Sequence, residues 1–223
     1  MDTSLNQQTY ERFKKDIMTF ALKPGEPVSA QKIAERYEVS RTPAREALVR
    51  LQNEGMVDIF PQSGSIISKI KPDRIHQEWF VRRALELSMV DQFFSRVCEE
   101  DIQRMREAAD RLETLGNAPR THESSYEYIC SDDRFHEITY RVSGEELAER
   151  IIKNMLPNYR RMRILVDFDD EYKNRTVRGH RELISYIEQG EKEKYRESLA
   201  THIGHIVTDI EKMRANFPYM FEE

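Results

Sequence analysis

Four residues in the second half of the chain have the types and the spacing of metal ligands. Asp132 and His136 are four positions apart, so on a helix their side chains would project from one face. His180 lies 10 residues before Gly190, where a helical pattern breaks, and His202 lies 12 residues after it. If the two flanking helices fold back antiparallel, both imidazoles lie about 15–18 Å from the turn, at nearly the same level. The spacing therefore predicts one carboxylate and three imidazoles around one point.

Three neutral imidazoles and one carboxylate, with no thiolate, form a donor set that suits a divalent metal ion. We take zinc as the first choice, with nickel, manganese or iron as alternatives. An octahedral ion with four protein ligands would keep two open positions, where a small carboxylate could bind. His205, three residues after His202, is an alternative ligand. Taken singly, each of these side chains is an ordinary polar helix residue, and only the joint spacing favours a metal site.

Two groups of arginines are candidates for binding the carboxylate of an effector. Arg82 has Glu86 four residues further on, a spacing typical of a helical ion pair. A buried Arg82 near the metal would bind an effector carboxylate through two hydrogen bonds, and a solvated surface arginine is the alternative. The basic run at 159–163, YRRMR, is predicted to be a solvated helix face rather than part of a pocket.

The elements that must position these residues are helices. After residue 71 the strand pattern disappears, and apolar residues recur at helical spacing almost to the end of the chain. Six predicted helices make residues 71–223 an all-α six-helix bundle, with effector binding and dimerisation assigned to it. The predicted helices are 72–97, 100–115, 120–143, 146–165, 170–189 and 191–215.

In the first 70 residues the chemistry-bearing pair is Arg41 and Arg45. They lie one helical turn apart at the start of a short amphipathic helix. Its opposite face is apolar: Ala44, Ala47, Leu48 and Leu51. A helix that packs through one side and presents basic residues at its N-terminal turn is typical of a recognition helix in the DNA major groove.

The surrounding pattern predicts a winged helix-turn-helix over residues 1–70. A first helix covers 5–21, a second follows Ser29, and Ser40 caps the helix of Arg41 and Arg45. Two β-branched segments then flank a loop in which Gly64 supplies a positive φ, which is the pattern of a hairpin. The whole chain is thus expected to be mainly α. A small structural α+β module that binds no DNA is the alternative.

Charge and composition are consistent with this division. The 223 residues carry a formal net charge of −5. Residues 1–70 hold 10 Lys and Arg against 9 Asp and Glu, whereas residues 71–223 hold 25 against 31. No run approaches the roughly 18 apolar residues of a spanning helix, and no secretion signal begins the chain. Cys98 and Cys130 lack CxxC spacing, so a reducing, cytoplasmic setting is expected.

Both halves of the chain resemble one family of bacterial proteins. The motifs of the first half are Pro24-Gly25, SRTPAREAL from Ser40 to Leu48, LQNEG from Leu51 to Gly55, and the loop glycine Gly64. Together they resemble the winged helix-turn-helix of GntR-type transcription regulators. The second half is similar to the FCD ligand-binding domain of the FadR branch. That similarity lies in D-x-x-F-H from Asp132 to His136, the turn Ser143-Gly144, and His180 and His202 on either side of Gly190-Glu191.

The resemblance implies roles for individual residues. Six are expected at the DNA: Gln31, Ser40, Arg41, Thr42, Arg45 and Gly64. Four are expected at the metal: Asp132, His136, His180 and His202. Two positions depart from the family pattern. Gln31 stands where acyl-CoA-responsive relatives carry a DNA-contacting arginine, and Gly179 stands where many relatives carry glutamate.

We therefore expect a ligand-responsive transcription regulator and not an enzyme. The resemblance implies a homodimer that reads an inverted repeat in double-stranded DNA, with a small organic acid, such as a sugar acid or another carboxylate, sensed at the metal. One alternative is the same regulator without a metal, sensing a larger acyl-type effector. A second is a metal-dependent enzyme, for which Glu137 beside His136 is the conspicuous acid or base.

Overall fold

The computed structural model describes residues 4–119, 121–167 and 170–222. The chain divides into two compact units. The first runs up to Pro72 and includes the segment from Arg214 onward, and the second is Asp73–Met213. The prediction of a mainly α chain with an N-terminal winged helix-turn-helix and a helical C-terminal domain is confirmed.

The first unit contains three helices and a small sheet. Its elements are α1 (Leu5–Met18), β1 (Pro27–Val28), α2 (Ala30–Tyr37), α3 (Arg41–Asn53), β2 (Val57–Phe60) and β3 (Gly64–Ile67). The apolar face of each helix supplies the core, in which Phe13, Ile33 and Leu51 are almost fully buried. Because Ala44 and Ala47 also face this core, the opposite face of α3, with Arg41 and Arg45, is exposed.

The sheet has one strand more than the predicted hairpin. Its order is β1-β3-β2, and both pairings are antiparallel. β1 has only two residues, too few for an alternating pattern to reveal it in the sequence. Its Pro27 lies on an edge strand, where a missing N–H is tolerated. Gly64 opens β3 with φ +102°, so the loop does use the positive φ expected of this glycine.

Local signals set the helix boundaries of the first unit. Ser29 caps α2 by accepting a hydrogen bond from the backbone N–H of Lys32. Ser40 occupies the N-cap position of α3, as predicted, but its side chain makes no capping hydrogen bond. α1 ends at Met18, three residues before the predicted end, because Phe20 has a left-handed φ of 56° that no helix continues through.

The C-terminal segment belongs to the first unit, although the sequence gives no sign of it. The backbone N–H of Ile70 donates to the carbonyl of Met220, and the N–H of Glu222 donates to the carbonyl of Ile70, both at 2.9 Å. Met220 and Phe221 are buried there. The C-terminal segment is therefore joined to the residues just after β3 by one short parallel bridge, between Ile70 and Phe221.

Among the residues that the structure describes, the second unit consists of helices and the short connections between them. Its helices are α4 (Pro72–Ser88), α5 (Val90–Arg96), α6 (Glu99–Gly116), α7 (His122–Ser143), α8 (Glu146–Met155), α9 (Pro157–Val166), α10 (Asp170–Glu188) and α11 (Lys192–Thr208). α12 (Ile210–Asn216) spans the boundary, and a single 3-10 turn (Pro218–Met220) follows it. In the described part of the chain, no helix has the length and apolar character needed to cross a membrane.

The prediction of six helices was wrong, because three predicted helices are each divided in two. The predicted helix 146–165 ends at Met155 and resumes at Pro157. Proline has no N–H to donate and disfavours a helical conformation in the residue before it, here Leu156. The predicted helix 120–143 is α7, and its expected first residue, Arg120, lies outside the described residues.

The other two divisions leave no trace in the sequence pattern. The predicted helix 72–97 breaks at Met89, and the predicted helix 191–215 breaks at Asp209. Both residues keep angles close to helical, with φ −86° and ψ −10° at Met89 and φ −94° and ψ −5° at Asp209. The apolar periodicity therefore continues through each break, and a prediction based on periodicity joins the two pieces.

Three helices of the second unit position the candidate ligands. α7 packs against α6, α8 and α9, and it carries Asp132 and His136. α10 and α11 form the antiparallel pair that was predicted, and the turn between them has Gly190 at φ +68°. The apolar core beside the site includes Phe93, Met105, Phe135 and Leu199.

Candidate metal centre

The four side chains predicted as metal ligands come together inside the second unit. Asp132, His136, His180 and His202 each offer a ligand atom, and these atoms lie within 4.8 Å of one another. The ring centroids of His180 and His202 are 4.6 Å apart. Asp132, His136 and His180 are buried, and His202 is partly buried. The joint spacing in the sequence thus did indicate a real convergence in space, and in this cluster the C-terminal imidazole is that of His202 rather than His205.

Glu86 of α4 orients His136. Its Oε2 lies 2.9 Å from Nδ1 of the imidazole, and its Oε1 accepts hydrogen bonds from Arg82 and from the hydroxyl of Tyr140. The other ring nitrogen of His136, Nε2, points toward Asp132 and has no hydrogen-bond partner among the described residues. A carboxylate on one nitrogen and a free second nitrogen is the usual arrangement of a metal-ligating histidine.

The positions of His180 and His202 depend on their neighbours. The ring of Phe135 stacks on His180, with centroids 4.0 Å apart and planes inclined by 11°. A Cβ atom added to Gly179 would lie only 2.5 Å from Nδ1 of His202. The position at which many relatives carry glutamate therefore has no room for any side chain here, because the His202 ring lies against the backbone of α10.

Arg163 of α9 contacts the carboxylate ligand. Its guanidinium pairs with Asp132 through one terminal nitrogen and with Asp133 through the other, the latter at 2.7 Å. Asp132 Oδ1 also lies 3.2 Å from Nε2 of His180. Arg160 makes a further ion pair with Asp133 at 2.9 Å. The carboxylates of α7 are thus balanced by two arginines from one helix.

Burial and these pairs shift the pKa values of the ligands. Burial raises the pKa of Asp132, but Arg163 and His180 outweigh it and hold that pKa well below its usual value. Burial lowers the pKa of His202 strongly, and the nearby His180 lowers it further. The pKa of His180 is also lowered, by burial above all. The cluster therefore holds an ionised carboxylate beside the neutral imidazoles of His180 and His202, which are the protonation states that metal binding requires.

Arg82 is buried and not a solvated surface residue. Only 2% of its surface is exposed, and its Nε donates to Glu86 Oε1 at 2.5 Å. The ion pair expected from the sequence is present, inside the protein. Its Nη1 lies 3.5 Å from the hydroxyl of Tyr159. The prediction that 159–163 is a solvated basic face was wrong, because Tyr159, Arg161, Met162 and Arg163 are all buried. Helical periodicity could not show this, since charged side chains are buried here through ion pairs with other helices.

A wide opening of about 670 Å³, lined in part by Gly179, His202 and His205, adjoins the candidate centre, and so do two small cavities. Each small cavity has about 20 Å³ of space, and each is lined by Arg82, Tyr159 and Arg163. One also reaches His136, and the other reaches Asp132 and His202. Glu137, considered above as an enzymatic acid or base, lines the first cavity, and its Oε1 pairs with Lys153 at 2.7 Å.

In the first unit, the residues expected at the DNA lie at the starts of two helices and on the wing. Ser40, Arg41, Thr42 and Arg45 are exposed on the first turns of α3. Gly64 is exposed where β3 begins. Gln31 is exposed near the start of α2, and its side chain bonds to Arg41 and Glu35.

Comparison with known proteins decides the family. The profile of bacterial regulatory proteins of the gntR family matches residues 5–67, and the profile of the FCD domain matches residues 79–205. The chain belongs to the GntR family of bacterial regulatory proteins. As expected from its motifs, it is a DNA-binding transcription regulator with a C-terminal FCD domain and not an enzyme.

Similar proteins span almost the full length of this GntR regulator. An HTH-type transcriptional regulator in an unstable DNA locus of Streptomyces ambofaciens is 30% identical over 212 residues, which are 95% of this chain and 87% of the relative. The HTH-type transcriptional repressor RspR of Escherichia coli is 24% identical, covering 98% and 94%. The solved structure of E. coli McbR/YncC has the same fold, with a TM-score of 0.77, 20% identity and coverage of 96% and 99%.

Within the GntR regulator, the two matched regions coincide with the two sets of predicted residues. α1 to β3 lie in the gntR region, and all four candidate ligands lie in the FCD region. The sequence did not single out Glu86 as a partner of His136, nor Arg163 and Phe135 as neighbours of the ligands. The i, i+4 spacing of Arg82 and Glu86 was the one signal available for the first of these.

Proposed function

We propose that this regulator holds a divalent metal ion in its FCD domain and senses a small carboxylate there. The ligands would be Asp132, His136, His180 and His202. We further propose that it acts as a homodimer that binds an inverted-repeat operator. Two copies of one short recognition helix across a two-fold axis give the specificity that a single copy lacks.

The convergence of the four ligand atoms within 4.8 Å is the observation that carries the metal proposal. It is supported by Nε2 of His136, a buried nitrogen without a hydrogen-bond partner among the described residues. Burying such a nitrogen is unfavourable for folding unless another group or a metal ion binds it. The donor set suits zinc first, with nickel, manganese or iron as alternatives. When bound, the metal would supply a Lewis-acidic position for a carboxylate oxygen.

The charges around the candidate centre favour an anionic effector. The ion-paired groups are three guanidinium groups and three carboxylates: Arg82, Arg160, Arg163, Glu86, Asp132 and Asp133. A divalent ion at the four candidate ligands would add two positive charges to this balanced, buried region. Unbalanced buried charge is unfavourable, so a sugar acid or a dicarboxylate would offset the excess.

Arg82 and Arg163 are the proposed partners of the effector carboxylate. Both line both cavities, and a guanidinium binds a carboxylate through two parallel hydrogen bonds. The cavities, each of about 20 Å³, have room for about one water molecule. An effector carboxylate would take the place of that water beside the two arginines, and a wider opening of about 670 Å³ also reaches His202.

The first turns of α3 are the proposed DNA-reading surface. Arg41 and Arg45 would contact base edges and phosphates in the major groove, with Ser40 and Thr42 contacting the backbone. The exposed Gly64 at the wing would approach the minor groove. The unused cap position of Ser40 supports this assignment, because its hydroxyl remains free to bind a phosphate oxygen.

Helix α4 is the proposed link between sensing and DNA binding. It begins at Pro72, where the first unit ends along the chain, and it carries Arg82 and Glu86. Effector binding at Arg82 would change how α4 packs in the FCD domain. That change would alter the distance between the two recognition helices of the dimer, or their mobility. A coupling of about 1–3 kcal/mol is enough to change operator occupancy substantially.

Metal analysis of protein purified without added metal tests the central claim. We expect one equivalent of metal per chain in the wild type and in the control His205→Ala, and none in His180→Ala. Absence of metal in the wild type, with no uptake on reloading, would contradict the metal proposal.

For the DNA surface, Arg45→Ala is expected to weaken binding to a duplex selected from random DNA by at least about 10-fold. The control is Arg111→Ala, an exposed arginine of the FCD domain.

A further inference from the structure

Gln31 is bonded within the protein at the place where a DNA contact was expected of it. Its Oε1 accepts a hydrogen bond from Nε of Arg41, and its Nε2 donates one to Oε1 of Glu35. Gln31 lies in the first turn of α2, and Arg41 is the first residue of α3. The amide of Gln31 thus connects the two helices of the helix-turn-helix at its exposed surface.

The bond to Gln31 leaves the DNA-reading end of Arg41 free. A guanidinium has five N–H donors, and Gln31 uses only the one on Nε. The two terminal nitrogens donate to no other group within the described residues of the first unit. A pair of parallel terminal donors matches the O6 and N7 acceptors of guanine in the major groove.

Glu35 fixes which way the Gln31 amide points. A carboxylate only accepts hydrogen bonds, so it selects the NH2 group of the amide. The amide oxygen is then directed at Arg41, which only donates. A glutamine that reads adenine needs both its amide oxygen and its NH2 group for the base, and here both are occupied.

We propose that Gln31 is a positioning residue that holds Arg41 for the readout of one guanine in each half-site and does not itself contact DNA. The inference rests on the proposed DNA contact of Arg41. A free arginine side chain loses rotamer freedom when it binds, and an arginine already held in place loses less. Gln31 therefore raises both the affinity and the base preference that Arg41 provides.

A double-mutant cycle on the full-length protein tests this inference. Binding of wild type, Gln31→Ala, Arg41→Ala and the double variant is measured by fluorescence anisotropy, against a duplex selected from random DNA and its single-base substitutions. We expect Gln31→Ala to weaken binding roughly 3- to 10-fold, the effect of having to order one long side chain when DNA binds. Gln31→Ala should also lower the preference for guanine, at the same base pair at which Arg41→Ala lowers it. The double variant should bind no more weakly than Arg41→Ala.

Further variants make each outcome decisive. Gln31→Glu keeps an oxygen acceptor for Arg41 and is expected to retain the base preference, even where its added negative charge lowers affinity. Gln52→Ala, at an exposed glutamine near the end of α3, should change nothing. If Arg41→Ala weakens binding but the effect of Gln31→Ala adds to it, or falls on another base pair, the positioning role is wrong. If Arg41→Ala has no effect, the proposed DNA contact fails instead, and the positioning role with it.

Discussion

Oε2 of Glu86 on α4 lies 2.9 Å from Nδ1 of His136 on α7. Burial raises the pKa of Glu86, but Arg82 and His136 outweigh burial and lower it, so the carboxylate is ionised. The carboxylate accepts a hydrogen bond from Nδ1, so Nε2 is the ring nitrogen that faces the other candidate ligands. The first helix of the FCD domain therefore orients a candidate ligand on another helix.

This relationship predicts a loss of metal affinity in Glu86→Gln. The amide removes the charge that orients His136 and strengthens it as a ligand, and a change of this kind lowers affinity by roughly 10- to 100-fold. Competition with a chromophoric chelator measures the change. Glu137→Gln is the control. Glu137 lies on the same helix as His136, but it pairs with Lys153 and not with the imidazole. Equal affinities for wild type and Glu86→Gln would contradict the role.

Gly179→Ala is expected to displace His202. Because the new Cβ would lie 2.5 Å from Nδ1 of His202, the ring must move away from the other ligands. Metal affinity should fall by at least about 10-fold, as for loss of a supporting contact. Gly204→Ala is a matched control on α11, since a Cβ there meets nothing within 4 Å. That variant should bind metal normally and be as stable as wild type or slightly more so.

Arg163→Gln is expected to have opposite effects on metal and on effector. Arg163 pairs with Asp132, so it competes with a cation for that carboxylate. Its removal leaves the buried carboxylate of Asp132 without an arginine partner, which costs about 3 kcal/mol of stability in metal-free protein. Added zinc should restore much of this stability and bind more tightly than in wild type, as seen in thermal unfolding with graded metal. The response of DNA binding to carboxylates should be lost.

The control for that experiment is Arg160→Gln. Arg160 pairs with Asp133 and belongs to the same helix, but it makes no ion pair with Asp132. Zinc should therefore bind to this variant about as it does to wild type. An equal rise in zinc affinity in both variants would mean that the net charge around the site, and not the contact between Arg163 and Asp132, sets the affinity.

Phe221→Ala should loosen the first unit from its C-terminal end. Phe221 is 3% exposed, and truncation of a buried phenylalanine costs about 3 kcal/mol. The effect is measured locally as faster hydrogen exchange at the amide of Ile70, which donates to Met220. Tyr219→Ala, at a side chain that is 56% exposed, is the control and should change stability by less than about 0.5 kcal/mol.

The buried carboxyl of Glu78 should make stability depend on pH. Burial raises the pKa of Glu78, against the opposing hydrogen bonds from Tyr159 N–H and Asn158. The folded state therefore binds this proton more tightly than the unfolded chain, and protonation of Glu78 stabilises the fold as pH falls. The melting temperature of wild type should rise relative to that of Glu78→Gln between pH 7.5 and pH 5. Glu197→Gln, at an exposed position, should show no such trend.

The sequence predicted those parts of the molecule that rest on local patterns. The winged helix-turn-helix followed from serines at the N-cap positions of two helices, Ser29 and Ser40, and from the glycine at the wing. The convergence of Asp132 with His180 and His202 followed from helical spacing around one turn, because the rise per residue of a helix is fixed. The helix breaks at Met89 and Asp209 were not predictable, because apolar periodicity runs through both.

By itself, then, the sequence determined the family, the recognition helix and the four candidate ligands, since spacing along a helix is a local property. The tertiary structure alone decided which side chains surround them. The partnership of Glu86 with His136, the burial of Arg163 and the bond from Arg41 to Gln31 join residues on different helices. Such pairs form because burying a charged or polar group is favourable only where another element supplies its partner, and no local pattern records that partner.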